Sequence, residues 1–322
     1  MIKISVVIPC YYSEKNITEV VEESIKEFDK LNNYDYEFIL VNDGSNDGTF
    51  REISVLSEKY PFVTGIDLTK NFGQHNAIIA GMNFASGDYI LGMDDDFQTH
   101  PSQIYKLINK LEEGYDIVYG KFPHRHHSFI RNIESKISEY SVRFLIDNPK
   151  DLKACPMYII RSFVKDEIIK SQSSYTNLRG LFLRTTSHIA NAEIEHFDRK
   201  NGTSGYTFKK LMRLWSSFLN YSVKPVKLIR NFGLIIFLIG IIYLVISLIM
   251  LLKSVNIISA EIMIFSGIII FILGFLGEYL VRLFMVSTHE PQYVIRSTTH
   301  HSDRGENDEK KDSYSWCRQR SD

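Results

Sequence analysis

Residues 89–98 read YILGMDDDFQ, a short apolar run that stops abruptly at three adjacent carboxylates. Working outward, the same pattern of an apolar run ending in small or acidic residues recurs at Ile4–Ile8, Phe38–Val41, Val63–Leu68 and Ile117–Tyr119. These runs are rich in Val and Ile, as strands are when both faces of a sheet are covered. Between them, apolar residues at helical spacing mark helices over Ile17–Leu31, Thr49–Tyr60, Gln74–Ala85 and Ser102–Glu113. Strict alternation of strand and helix predicts a mainly parallel sheet between helix layers. Ligands of such sheets bind beyond the carboxyl ends of the strands.

Carboxylates and turn residues occupy those ends. The first strand runs into Pro9-Cys-Tyr-Tyr-Ser-Glu14, the second into Asn42-Asp-Gly-Ser-Asn-Asp-Gly48, the fourth into Asp94-Asp95-Asp96-Phe97-Gln98. Three adjacent carboxylates repel one another, and a divalent cation relieves that repulsion. Asp94 and Asp96, two residues apart, project to one side of an extended chain and are able to share one ion. Hard oxygen ligands of this kind suit Mg2+ or Mn2+, which keep positions open for phosphate oxygens. A solvated acidic turn is the plainer reading of the same residues. No phosphate-loop glycine–lysine pattern accompanies them, which argues against a nucleoside triphosphatase.

Composition bounds the function. The 322 residues carry 37 Lys+Arg against 38 Asp+Glu, a net charge of −1, without the basic excess of a nucleic-acid-binding protein. The 3 cysteines, Cys10, Cys155 and Cys317, are too few and too dispersed for a disulfide framework, which points to a reducing compartment. His124, His126 and His127 share a polar loop but lack partners at zinc spacing.

Hydropathy is uneven along the chain. Residues 233–252, GLIIFLIGIIYLVISLIMLL, hold no charge and are long enough as a helix to cross about 30 Å of hydrocarbon. A second apolar stretch covers 262–284, broken by Glu278 and Arg282 near its end. Lys224, Lys227 and Arg230 precede the first stretch, and Arg282 and Arg296 end or follow the second. Such flanks predict a transmembrane hairpin with both ends on the cytoplasmic side. Just upstream, Phe208, Leu211, Met212, Trp215, Phe218 and Leu219 make one apolar helical face with Lys209, Lys210 and Arg213 mostly off it, a helix suited to the membrane interface or to a core. The expected organisation is a cytoplasmic α/β catalytic domain over 1–206, an amphipathic interfacial helix and linker over 207–232, the hairpin over 233–284, and a cytoplasmic, largely disordered tail over 285–322. Gly267, Gly274 and Gly277 offer a close-packing face through which the hairpins of a homo-oligomer would meet.

The segments IPCYYSEKNI, VNDGSNDGT, NFGQHNAIIAG and MDDDFQTHP, in this order and spacing, resemble the family 2 glycosyltransferases with the GT-A fold. His196, Arg199, Gly202, Ser204, Tyr206, Lys209 and Leu211, followed by Ser222-Val-Lys-Pro225 and the hairpin, resemble the polyprenyl-phosphate branch of that family. The resemblance implies a GT-A (Rossmann-like) sheet, a nucleotide-sugar donor, a polyprenyl phosphate acceptor and inversion at the anomeric centre. It implies that Pro9, Tyr11, Glu14 and Asp43 line the nucleobase and ribose pocket, and that Asp94, Asp96 and Gln98 gather at the metal. Gly73 and Gln74 would open a helix whose free N–H groups meet an anion. Arg125, Arg131, Arg199, Lys200 and Ser204 are the candidates for the donor diphosphate and the acceptor phosphate. Tyr12, Asp95 and the pair Pro156–Met157 depart from the usual pattern of the family, where Asn, a small residue and a Phe-Arg pair are common. Two other readings stay open: transfer to a glycan hydroxyl, with Asp95 or Asp151 as base, and a non-catalytic membrane-bound partner. UDP, GDP and dTDP all remain candidate carriers.

Overall fold

The computed structural model describes residues 1–122, 149, 152–171, 176–195 and 291–299, with scattered helical positions between 265 and 283. The described residues build one 8-stranded sheet in the order β7-β5-β6-β4-β1-β2-β3-β8. Its strands are β1 (Ile2–Cys10), β2 (Tyr34–Asn42), β3 (Val63–Leu68), β4 (Tyr89–Gly92), β5 (Ile117–Lys121), β6 (Tyr158–Arg161), β7 (Ile189–Glu193) and β8 (Ile295–Thr298). The helices are α1 (Ile17–Phe28), α2 (Thr49–Lys59), α3 (Gln74–Met82), α4 (Ile104–Glu112), α5 (Ser162–Ile168) and α6 (Leu178–Thr185). A 3-10 turn, Pro101–Gln103, leads into α4.

Strands β3, β2, β1 and β4 run parallel, while β6 is antiparallel to β4 and β5, and β8 is antiparallel to β3. This is the mainly parallel, GT-A-like arrangement expected above. The pleat sends alternate side chains to opposite layers. Ile4, Val6 and Ile8 of β1 join Phe38 and Leu40 of β2 beneath α1, α2 and α4. Val7, Ile39 and Val41 face the other way, against α3, α5 and α6. Both faces are dry, which is why the strands read as continuous apolar runs.

The chain reverses direction of packing between β1 and β4, so the carboxyl ends of β2, β1 and β4 open onto a cleft at a topological switch point. Register brings those ends together: Cys10 pairs with Asn42, and Val7 with Gly92.

Residues 295–298, placed in the tail by the sequence reading, form β8 at the sheet edge beside β3. The expected interfacial helix and the first apolar stretch lie outside the described residues. The second is described only at scattered helical positions, and among these Phe265, Ile269, Leu273, Leu276, Leu280 and Leu283 are exposed. Among the described residues no helix is long and apolar enough to cross a membrane.

Candidate active site

The turn after β2 is the scaffold of the cleft. Asp43 is buried, and its two carboxylate oxygens accept the backbone N–H groups of Phe72 at 2.7 Å and Gly73 at 3.0 Å. Burial raises its carboxyl above the usual range, and those two hydrogen bonds oppose the rise. Gly44 follows at φ +66°, where a Cβ would lie 2.3 Å from the Lys70 carbonyl carbon, so only glycine lets these loops touch. Gly73 and Gln74 were expected to open α3 with free N–H groups. The structure corrects this for Gly73, whose N–H is spent on Asp43.

The turn after β1 forms the opposite rim. Tyr11 and Tyr12 are both exposed and meet edge to face with ring centroids 4.6 Å apart. Tyr12 has φ +56°, a left-handed conformation unusual for a side chain of this size, and its N–H donates to Ser45 Oγ at 3.0 Å. Pro9 is buried within β1. Glu14 accepts the Gly48 N–H at 3.1 Å and pairs with Arg51 at 3.1 Å, so it braces the 42–48 turn.

The three aspartates after β4 divide their work. Asp94 Oδ1 accepts from Gln74 Nε2 at 2.7 Å, which ties the first residue of α3 to the cleft. Asp96 Oδ1 accepts the Gln98 backbone N–H at 3.0 Å, within a turn that sets the buried Phe97 at φ +58°. Asp95 is drawn toward the turn after β1, where the Ser13 hydroxyl donates to it. Burial raises the Asp95 carboxyl, the Ser13 hydrogen bond lowers it, and the Asp96 charge raises it further. Beneath this turn, Gly92 lies flat against Tyr158, a residue 3% exposed whose buried hydroxyl has no hydrogen-bond partner among the described residues.

Of the residues singled out from the sequence, Tyr11, Glu14, Asp43, Gly73, Asp94, Asp96 and Gln98 stand in the segments that follow or join β1, β2, β3 and β4, Gln74 opens α3, and Pro9 lies buried within β1. Arg125, Arg131, Arg199, Lys200 and Ser204, together with the His124–His127 loop and Asp151, lie outside the described residues. Ser13, Ser45 and Tyr158 were not singled out by sequence reasoning. Ser13 and Ser45 sit inside the quoted strand-end motifs, which was the available signal.

Asp94 and Asp96 are half-exposed hard oxygen donors, a set that fits Mg2+ or Mn2+ when water and phosphate oxygens complete the sphere. Among the described residues no three His, Cys, Asp or Glu side chains converge as a complete protein cage.

Fold and cleft together define a Rossmann-type α/β ligand-binding protein with an acidic, aromatic-rimmed site at the switch point of its sheet. Residues 5–166 match Glycosyl transferase family 2. The undecaprenyl-phosphate 4-deoxy-4-formamido-L-arabinose transferase of Proteus mirabilis is 30% identical over 309 residues, covering 91% of this chain and 93% of its own. The protein of that name from Shewanella sediminis is 30% identical over 310 residues, covering 91% of each. Among solved structures, glucosyl-3-phosphoglycerate synthase from Mycobacterium tuberculosis, in complex with Mn2+, UDP-glucose and phosphoglyceric acid, aligns with a TM-score of 0.47 and 16% identity over 68% of this chain and 79% of that one. The chain belongs to glycosyl transferase family 2 and is a glycosyltransferase.

Proposed function

We propose that this glycosyltransferase moves a sugar, with inversion, from a nucleotide diphosphate donor (a UDP-sugar as first choice) to a polyprenyl phosphate at a membrane surface. The observation that carries the reading is the turn after β4, where three half-exposed carboxylates are each held by a different donor, Asp94 by Gln74, Asp95 by Ser13 and Asp96 by the Gln98 N–H. The relatives from Proteus mirabilis and Shewanella sediminis are named for undecaprenyl phosphate, and their similarity extends over 91% of this chain, well beyond residues 5–166.

In this reading Tyr11, Pro9 and Glu14 line the base and ribose end of the donor pocket, with Asp43 holding the 72–73 backbone that closes it. Asp94, Asp96 and Gln98 would hold Mg2+ or Mn2+. Bound there, the ion supplies charge neutralisation for the departing nucleoside diphosphate. Gln74 fixes one oxygen of Asp94 through its 2.7 Å hydrogen bond, so the carboxylate enters the reaction already oriented. The acceptor is a phosphate monoester, largely ionised at neutral pH because its second pKa is about 6. It needs no strong general base, the role for which Asp95, held through one oxygen by Ser13, is the cleft-side candidate with a hydroxyl acceptor. Arg125, Arg131, Arg199, Lys200 and Ser204 are proposed to grip the diphosphate and the acceptor phosphate.

The membrane part of the proposal is a hairpin over 233–252 and 262–284, with the catalytic domain and both termini in the cytoplasm. Among the described positions of the second stretch, the apolar Phe265, Ile269, Leu273, Leu276, Leu280 and Leu283 are exposed, which supports that reading. The hairpin would hold the cleft at headgroup height, where a polyprenyl phosphate presents its charge.

Calorimetric titration of the full chain in detergent with UDP and GDP, with and without Mn2+, tests the donor site. The proposal expects metal-dependent binding of one nucleotide that Asp94→Asn weakens at least tenfold. Equal binding with and without metal, or binding untouched by Asp94→Asn, contradicts it.

A further inference from the structure

A carboxylate in the middle of an apolar strand needs a partner, and Asp67 of β3 has two. It is 4% exposed. Its Oδ1 accepts from Asn42 Nδ2 at 2.7 Å, and its Oδ2 accepts from Arg296 Nη1 at 3.2 Å. The second guanidinium nitrogen of Arg296 donates to the Thr69 carbonyl at 2.8 Å. The Thr69 N–H in turn donates to the Val294 carbonyl at 3.0 Å. Arg296 therefore clamps β8 to the start of the loop that carries Phe72 and Gly73.

The chain of hydrogen bonds continues into the cleft. Asn42 Oδ1 accepts the Ser45 N–H at 3.2 Å, and Ser45 Oγ accepts the N–H of the left-handed Tyr12 at 3.0 Å. Asp43, next to Asn42, holds Phe72 and Gly73. Three loops around the cleft, at residues 11–14, 42–48 and 69–73, are thus joined to one guanidinium on the last strand of the sheet. Arg fits this place because its planar fork addresses a carboxylate and a carbonyl at once, which a Lys ammonium does less well.

We infer that Arg296 is a positioning residue for the donor pocket, holding the 42–48 and 69–73 loops in their binding geometry through Asp67, Asn42 and Thr69. Docking of β8 and binding of nucleotide then favour each other, because each selects the same loop arrangement and coupling of this kind is reciprocal. The inference rests on the proposed reading of that cleft as the donor site. It adds that the pocket is completed by a strand that begins at Ile295, past residue 284 where the proposed second membrane span ends, so a donor site on the sheet is built partly from the chain that follows that span.

The test uses the full chain in nanodiscs, with Arg296→Met, Arg296→Lys, and the pair Asp67→Asn with Arg296→Met, which removes both charges should the single change leave Asp67 too costly to bury. Lys59→Met, which breaks an exposed ion pair to Glu22, is the control. Hydrogen exchange is read first, without nucleotide. In Arg296→Met and in the double variant, peptides over 42–48 and 69–73 exchange roughly tenfold faster, as loss of a charge-assisted tether implies, while 4–8 keeps the parental rate. Arg296→Lys falls between. With nucleotide, KM for the donor rises roughly tenfold and kcat stays within about twofold, the split expected when ordering of a binding loop is lost. Parental exchange in both loops, or acceleration of the whole sheet together, overturns the inference. Failure of the parent to bind any nucleotide would defeat the donor-site reading, while the exchange arm would still decide whether Arg296 orders the loops.

Discussion

Gly92 is the residue on which the placement of the aspartate turn depends most directly, and Gly92→Ala puts a number on it. A methyl group there would lie 2.2 Å from Tyr158 Cζ and 2.5 Å from its Cε1 and hydroxyl oxygen. Carbon atoms rest at about 3.5–4.0 Å, so the ring would need to retreat by more than 1 Å, taking ~3.5 Å as the minimum. It has nowhere to go. Tyr158 is 3% exposed, with the Phe182 ring centroid at 5.2 Å and the Tyr119 centroid at 5.9 Å. Overpacking of this kind costs about 1–3 kcal/mol, and the rigid ring places it at the upper end. Replacing glycine by alanine in a strand returns about 0.5–1 kcal/mol of chain entropy, which leaves a net loss of about 2 kcal/mol. In a chain of this size that lowers Tm by about 4–8 °C. Thermal unfolding by intrinsic fluorescence measures it. Tyr158→Leu makes room for the methyl, so the double variant should be less destabilised than the sum of the singles by about 1–2 kcal/mol. A melt of Gly92→Ala within about 1 °C of the parent, or strict additivity in the double variant, would refute the packing argument.

Three further outcomes follow from the geometry. Tyr158→Phe removes a buried hydroxyl without a partner among the described residues and should raise stability by about 1 kcal/mol in the same melts. Asp43 has its folded-state carboxyl raised by burial, so its ionisable contribution to stability is fully present below the unfolded pKa of about 3.9 and is lost as pH rises through the folded value. Asp43→Asn should therefore be most destabilised relative to the parent near pH 4, and the deficit should shrink toward pH 7; a deficit that grows with pH in paired melts contradicts this. Gln74→Ala releases one oxygen of Asp94 and should reduce kcat/KM for the donor by roughly tenfold while leaving Tm within about 2 °C, as measured by initial rates beside a melt.

The first half of the sheet was legible because parallel strands covered on both faces are apolar throughout. The runs read at Val63–Leu68 and Tyr89–Met93 are β3 and β4 to within a residue. β6 and β8 were not readable: each has 4 residues, and each pairs with a strand distant in the chain, which leaves no local pattern. In the site, Asp94 and Asp96 announced themselves as a run of like charge at a strand end. The work of Asp43 did not, because its partners are backbone N–H groups, which every residue but proline carries and no sequence pattern marks. Asp67 gave a signal that was passed over, a carboxylate inside the apolar run of β3. Arg296 reads in the sequence as a flanking positive charge, whereas its guanidinium is committed to Asp67 and Thr69.

Transfer of a sugar to a lipid phosphate is read by following labelled sugar into organic-extractable lipid. Membranes holding the full chain are supplied with polyprenyl phosphate, Mn2+ and a panel of UDP-, GDP- and dTDP-sugars, beside membranes holding Asp96→Asn. Label is expected in the lipid phase from one donor, reduced at least a hundredfold by Asp96→Asn and dependent on added polyprenyl phosphate. Metal-dependent donor binding without any labelled lipid would contradict it and move the acceptor to a glycan hydroxyl.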